Sequence, residues 1–114
     1  MEPISGDALR GHLDALILSA LERGSAHGFE VWQRLEAAGS GALKLREGSL
    51  YPALYRIEAA GYVKSAWEDG VSERRGPRRR VYRLTPKGTR RLADARSEWQ
   101  HFTAVIGGIL GAPA

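Results

Sequence analysis

Glu47-Gly48-Ser49-Leu50-Tyr51-Pro52-Ala53-Leu54-Tyr55-Arg56-Ile57-Glu58-Ala59-Ala60, followed by Gly61 and then Tyr62-Val63-Lys64-Ser65-Ala66-Trp67, is the stretch in which the chain changes period. Leu50, Leu54 and Ile57 recur at helical spacing, which predicts a helix over about 47–60 with Gly61 as its stop. The residues after Gly61 are aromatic and β-branched and predict a strand. At 100° per residue from Leu50, the side of the helix away from that stripe presents Gly48, Pro52, Tyr55, Arg56 and Ala59, with Ser49 and Tyr51 on the flanks. Pro52 costs little if Ser49 caps the helix; a start nearer Glu47 loses one backbone bond.

Downstream, Arg80-Val81-Tyr82-Arg83-Leu84-Thr85 predicts a second strand. Residues 69–79, between the strands, hold turn formers and charges but no core residues, so the two strands form a hairpin with a long basic tip. Upstream, Leu9, Leu13, Leu16, Ile17, Ala20 and Leu21 predict a helix from about 8 to 23, capped by Asp7 and closed by Gly24. A second helix is predicted after Ser25 as N-cap, with Val31, Trp32, Leu35 and Ala38 on one face, ending at Gly39-Ser40-Gly41.

Three short helices and a hairpin, in that order, are the plan of a winged helix-turn-helix, here expected over 8–85 with the wing at about 62–85. The fold class is mainly α with a small β-hairpin. In such a domain the third helix enters the major groove and the hairpin reaches flanking phosphates or the minor groove. Small residues on the outer face (Gly48, Ser49, Pro52, Ala59) permit close approach to a duplex, and Tyr51, Tyr55 and Arg56 can bond phosphates or base edges. Arg74, Arg75, Arg78, Arg79 and Arg80 supply the wing with cations for phosphate contact.

Thr85-Pro86 opens a last helix, with Thr85 as N-cap and Pro86 in the first position, running over 86–110. Its apolar positions Leu92, Ala95, Trp99, Phe102, Ile106 and Ile109 alternate in steps of three and four. A helix of about 25 residues, roughly 37 Å long, cannot bury these against so small a domain. Pairing with a second copy can, and sets two recognition helices for a near-palindromic site. Leu9 and Leu13 of the first helix are assigned to the same interface. The alternative is that the helix folds back on its own domain. Gly107-Gly108 is expected to weaken the last turns.

The 114 residues leave room for one core. Net charge is only +4, yet residues 64–91 hold ten basic and three acidic side chains, a net of +7, against −3 for the remainder. Such asymmetry is an electrostatic footprint for a polyanion. There is no cysteine, hence no disulfide framework and no thiolate metal site. His12, His27 and His101 lack ligand spacing and are read as structural histidines, so no metal and no cofactor is expected. No nucleophile–base pattern or phosphate loop is present, and an enzyme is not expected. No apolar run approaches a membrane span and no basic segment followed by an apolar run opens the chain, so the expected location is the cytoplasm, without a membrane partner.

Four blocks carry a family resemblance: Leu9-Arg10-Gly11-His12-Leu13, Ala26-His27-Gly28-Phe29-Glu30, Glu47 through Glu58, and Arg78-Arg79-Arg80-Val81-Tyr82-Arg83-Leu84-Thr85-Pro86-Lys87-Gly88. In order and spacing they resemble the PadR family of bacterial transcriptional regulators, in its short subtype with a single C-terminal helix, from Leu9 to about Leu110. Val81 and Phe29 stand where tyrosine is usual. The resemblance implies a homodimeric repressor binding double-stranded DNA. In it, the positions of Ser49, Tyr51, Pro52 and Arg56 lie on the recognition helix and those of Arg78 and Arg79 on the wing. It further implies a small aromatic or drug-like inducer taken between the subunits against Trp99. The competing readings are a winged-helix module that binds an acidic protein surface, and an RNA binder.

Overall fold

A computed structural model of the protein describes residues 11–68 and 79–111. Its elements are α1 (Leu13–Leu21), β1 (Ala26–His27), α2 (Gly28–Ala38), α3 (Glu47–Ala59), β2 (Val63–Trp67), β3 (Arg80–Leu84) and α4 (Pro86–Leu110). The fold is mainly helical with a small antiparallel sheet, the winged-helix arrangement expected.

The sheet has three strands, ordered β1-β3-β2, where the sequence predicts two. Ala26 pairs with Tyr82 and His27 with Val81, while β2 runs against β3 from Val63↔Leu84 to Trp67↔Arg80. The added strand moves the start of α2. Its N-cap is His27, not Ser25: the His27 ring Nδ1 accepts from the Glu30 backbone N–H, and the Glu30 carboxylate accepts from the His27 N–H, each at 3.4 Å. This is a reciprocal capping box with an imidazole in place of a hydroxyl.

The start of α1 differs from expectation, and that of α3 is one of the two the sequence allows. Within the described residues α1 starts at Leu13 and ends at Leu21; Asp7, Leu9 and the rest of its expected first turn lie outside them. Arg34 closes its C-terminal end, donating to the carbonyl of Ala20 (3.0 Å), which the helix end otherwise leaves unpaired, and to those of Gly24 (2.8 Å) and Ser25 (3.3 Å) in the loop beyond. α3 begins at Glu47 with Arg46 as N-cap, the alternative to a Ser49 cap, so Pro52 is the sixth helical residue and the one backbone bond expected to be lost for that start is the one to the Gly48 carbonyl. Gly48 is exposed, so the missing bond is not a buried one.

The core gathers Ile17, Leu18 and Leu21 of α1, Val31 and Leu35 of α2, and Leu43 and Leu45 of the following loop. Leu50, Ala53, Leu54 and Ile57 of α3, with Ala20, Ala26, Val63, Tyr82 and Leu92, complete it. Each fully buried aliphatic chain there contributes about 1.5–3 kcal/mol relative to exposure. Leu92 corrects an expectation: it is 3% exposed within its own chain, so it serves this core and not a seam with a second copy. Leu13 is half-buried against the same core.

Thr85 caps α4 as predicted, its Oγ accepting from the Gly88 N–H at 3.0 Å while donating to the Gly61 carbonyl at 2.6 Å. Only the start of α4 is packed; every residue from Arg96 to Gly111 is exposed. The helix leaves the body, consistent with a radius of gyration of 16.1 Å against about 13 Å for a compact chain of this length. A bidentate pair, Arg96 Nη1 and Nη2 to the two Glu22 oxygens at 2.9 and 2.8 Å, braces it on α1.

Candidate nucleic-acid interface

Burial of Leu50, Ala53, Leu54 and Ile57 turns the opposite side of α3 outward. Gly48, Ser49, Tyr51, Pro52, Tyr55, Arg56 and Ala59 are all exposed, as the helical phase predicts. Tyr55 is the most open of its large side chains, at 75%. Tyr51 is different in kind. Its ring lies over Gly28 at the start of α2, where a Cβ would come within 2.8 Å of Tyr51 Cε1. The glycine thus lets α2 and α3 approach and fixes the tyrosine's direction. Beside it, exposed Phe29 packs on Trp32 (5.5 Å between centroids), whose indole N–H bonds the Leu45 carbonyl at 3.0 Å.

Arg56 faces outward but has a partner within its own chain. Its Nη2 lies 2.8 Å from Asp14 Oδ1 on α1. The two residues are 42 positions apart, and periodicity on either helix gives no sign of their meeting.

Of the arginines expected to supply the wing with cations, the two within the described residues lie on opposite faces. Arg74, Arg75 and Arg78 lie outside the described residues. Arg79 sits 2.8 Å from His27 Nε2, which is also 3.0 Å from a Glu30 carboxylate oxygen. Arg80 lies on the other face, opposite Trp67 in the ladder, with its guanidinium 5.3 Å from that ring's centroid. Its Nε donates to Ser65 Oγ at 2.6 Å and its Nη2 stands 3.6 Å from Glu58 Oε2; the Ser65 hydroxyl in turn bonds Glu58. Arg80 is therefore bolted between β2 and α3, while Lys64 and Arg83, directly opposite one another, are exposed. Burial, and secondarily the Glu58 charge, push the nearby Tyr82 phenol up from its ordinary pKa, which keeps it a neutral donor.

The far half of α4 presents Trp99, Phe102, Val105, Ile106, Ile109 and Leu110, all between 38% and 80% exposed. Trp99 meets the His12 ring edge-on at 5.4 Å and stacks with Phe102 at 5.8 Å. Val105 and Leu110 extend this apolar surface beyond the positions the stepwise pattern picks out. Where α4 crosses α1, the Arg96 hydrogen bond holds the Glu22 carboxyl below its ordinary pKa. Among the described residues no His, Cys, Asp and Glu cluster could hold a metal ion, and no helix is long and apolar enough to cross a membrane.

Comparison with known proteins agrees with this geometry. The model of the transcriptional regulator PadR-like family matches residues 17–94. A transcriptional regulator of Mycobacterium tuberculosis is 37% identical over 86 residues, 72% of this chain and 71% of its own. A transcriptional regulator from Clostridium thermocellum superposes with a TM-score of 0.83 at 31% identity, covering 95% of this chain and 99% of that one. A PadR family transcription regulator from Clostridium difficile gives 0.74 at 32% identity, with 89% and 100% covered.

Proposed function

We propose, because the chain belongs to the PadR-like family of transcriptional regulators, that it is a homodimeric repressor binding a near-palindromic duplex operator in the cytoplasm. Members of this family are regulators and not enzymes. The observation that carries the reading is the outward face of α3, small at Gly48, Ser49 and Ala59 and donor-bearing at Tyr51, Tyr55 and Arg56, set on the same body as a basic hairpin. In this reading residues 8–85 are the DNA-binding unit, with Ser49, Tyr51, Pro52, Tyr55 and Arg56 in the major groove. Arg74, Arg75, Arg78 and Arg79 meet phosphates, and Arg80 holds the wing to the recognition helix at the same time. Residues 86–110 form the dimerisation helix.

A titration of the protein against duplex from its own upstream region, with a scrambled duplex beside it, tests this. The expected result is sequence-dependent binding in the nanomolar range that falls steeply with salt, log K dropping by about 0.9 per neutralised phosphate for each tenfold rise in salt. Equal affinity for both duplexes sinks the operator and favours a winged-helix module whose arginines meet an acidic protein surface.

Repression is relieved, in the same proposal, by a small aromatic ligand held between subunits at Trp99. The half-exposed indole, with His12 at its edge and Phe102 stacked on it, offers a flat aromatic a place at the seam. Such a ligand acts only by favouring one spacing of the two recognition helices over another. Quenching of tryptophan fluorescence by planar aromatics is expected to vanish in Trp99→Leu, leaving the steady emission of Trp32 and Trp67; quenching that survives places the ligand elsewhere.

A further inference from the structure

Arg56 is the one ionised group among the described exposed side chains of α3. A lone arginine on a DNA-facing helix is attracted to any phosphate, and phosphate contacts carry no sequence information. Here the guanidinium is engaged by a carboxylate from another helix, 2.8 Å from Nη2, with the two side chains 57% and 45% exposed. A pair so open to water contributes little to folding, so its consequence lies in what it does to Arg56.

Two effects follow from the geometry. The carboxylate takes one of the guanidinium's five N–H donors and restrains its fork, leaving other donors free for a planar, two-bond contact such as that with guanine O6 and N7. It also offsets the charge of Arg56, which lowers what that guanidinium gains from a non-specific phosphate contact. The carboxylate is itself held in place. Asp14 sits in the first turn of α1, where the helix dipole favours a negative charge. That helix is anchored by buried Ile17, Leu18 and Leu21 and by the Glu22–Arg96 pair.

We propose that Asp14 is a specificity-determining residue: it positions Arg56 for a base edge and withholds it from the DNA backbone. The proposal rests on the operator reading above. Asp14→Asn keeps the shape and removes the charge. Wild type, Asp14→Asn, Arg56→Gln and the double variant are to be titrated against the duplex that wild type enriches from a random pool, and against a scrambled duplex, over a salt series. Thermal melts run alongside to establish that all four fold.

With one phosphate gained per protomer, Asp14→Asn is expected to tighten scrambled binding about tenfold for the dimer and to steepen its salt slope by about 2. The ratio of selected to scrambled affinity narrows at least threefold. In the Arg56→Gln background the same substitution is expected to change nothing. An unchanged ratio overturns the proposal, as does an effect that persists without Arg56, since the charge of Asp14 would then act on DNA directly. If wild type enriches no sequence at all, the operator reading itself fails and takes this inference with it; enrichment with an unchanged ratio sinks the inference alone.

Discussion

Replacing Ile106 by aspartate is expected to turn the proposed dimer into monomers in sedimentation velocity, and to weaken binding to a two-half-site duplex by about 10²–10⁴-fold. The reasoning begins from what α4 leaves uncovered. Past Arg96 every residue is exposed and the His12 ring meets it at Trp99, while Trp99, Phe102, Val105, Ile106, Ile109 and Leu110 remain open on a helix that extends the molecule to 59 Å in its longest dimension. An apolar run of this kind on a monomer marks an interaction surface, and a second copy supplies a matching run. In a two-fold seam one substitution enters twice, so two carboxylates would lose water without gaining a partner, a cost of several kcal/mol for each. The monomer should keep its fold, because Leu92 and Gly88, the buried residues of α4, are untouched. It then binds one half-site at a time and loses the effective concentration that linkage provides. Trp99→Asp should act in the same direction, although there the His12 and Phe102 contacts of the same chain are lost as well. A dimer that survives both substitutions places the interface elsewhere and removes the basis for a palindromic operator.

What could be read from the sequence divides by the range of the interaction that decides it. The period of α3, the strands β2 and β3 and the Thr85-Pro86 start of α4 are local, and the structure places them within a residue or two of where the pattern predicts them. β1 was not legible: two residues have no period, and Ala26 and His27 become a strand only because Tyr82 and Val81 come alongside. The same pairing hides the true cap of α2, since histidine is outside the usual set of N-cap residues and Ser25 offers a better local signal. On α4 the stepwise pattern ran through Leu92 without a break. Periodicity identifies which side of a helix is apolar, not which turn lies on its own domain and which on a neighbour. Arg56 is the sharpest case. Its phase on α3 faces it outward, as the structure has it; the partner sits on α1 and is found only by folding the chain.

The junction between sheet and last helix gives the largest expected effect on stability, Gly88→Ala. The Thr85-Pro86 pattern announces a helix start but not why the third helical residue has no side chain. In the fold, a Cβ at Gly88 would stand 1.9 Å from the Tyr62 carbonyl oxygen and 3.2 Å from Leu84 Cδ2. That oxygen cannot simply retreat. It accepts from the Thr85 N–H at 3.1 Å, and the Tyr62 N–H is bonded to the Ile57 carbonyl at 2.9 Å, which closes α3. Making room therefore loosens the Thr85 cap, the first pair of the β2–β3 ladder and the end of the recognition helix together. A loss of about 3 kcal/mol or more is expected, a fall of roughly 10–20 °C in Tm for a domain of this size, measured at matched protomer concentration because association adds to apparent stability. Gly48→Ala supplies the contrast within one experiment. It too is a helical glycine, but nothing lies within 4 Å of its Cβ position, so relief of backbone freedom in the unfolded chain should raise stability by about 0.5–1 kcal/mol. Opposite signs for the same chemical change, set only by what a methyl group would meet, are the expected result; a Gly88→Ala protein melting within a few degrees of wild type would show that the Tyr62–Thr85 contact is loose enough to yield, and that the wing is not held rigidly to α4.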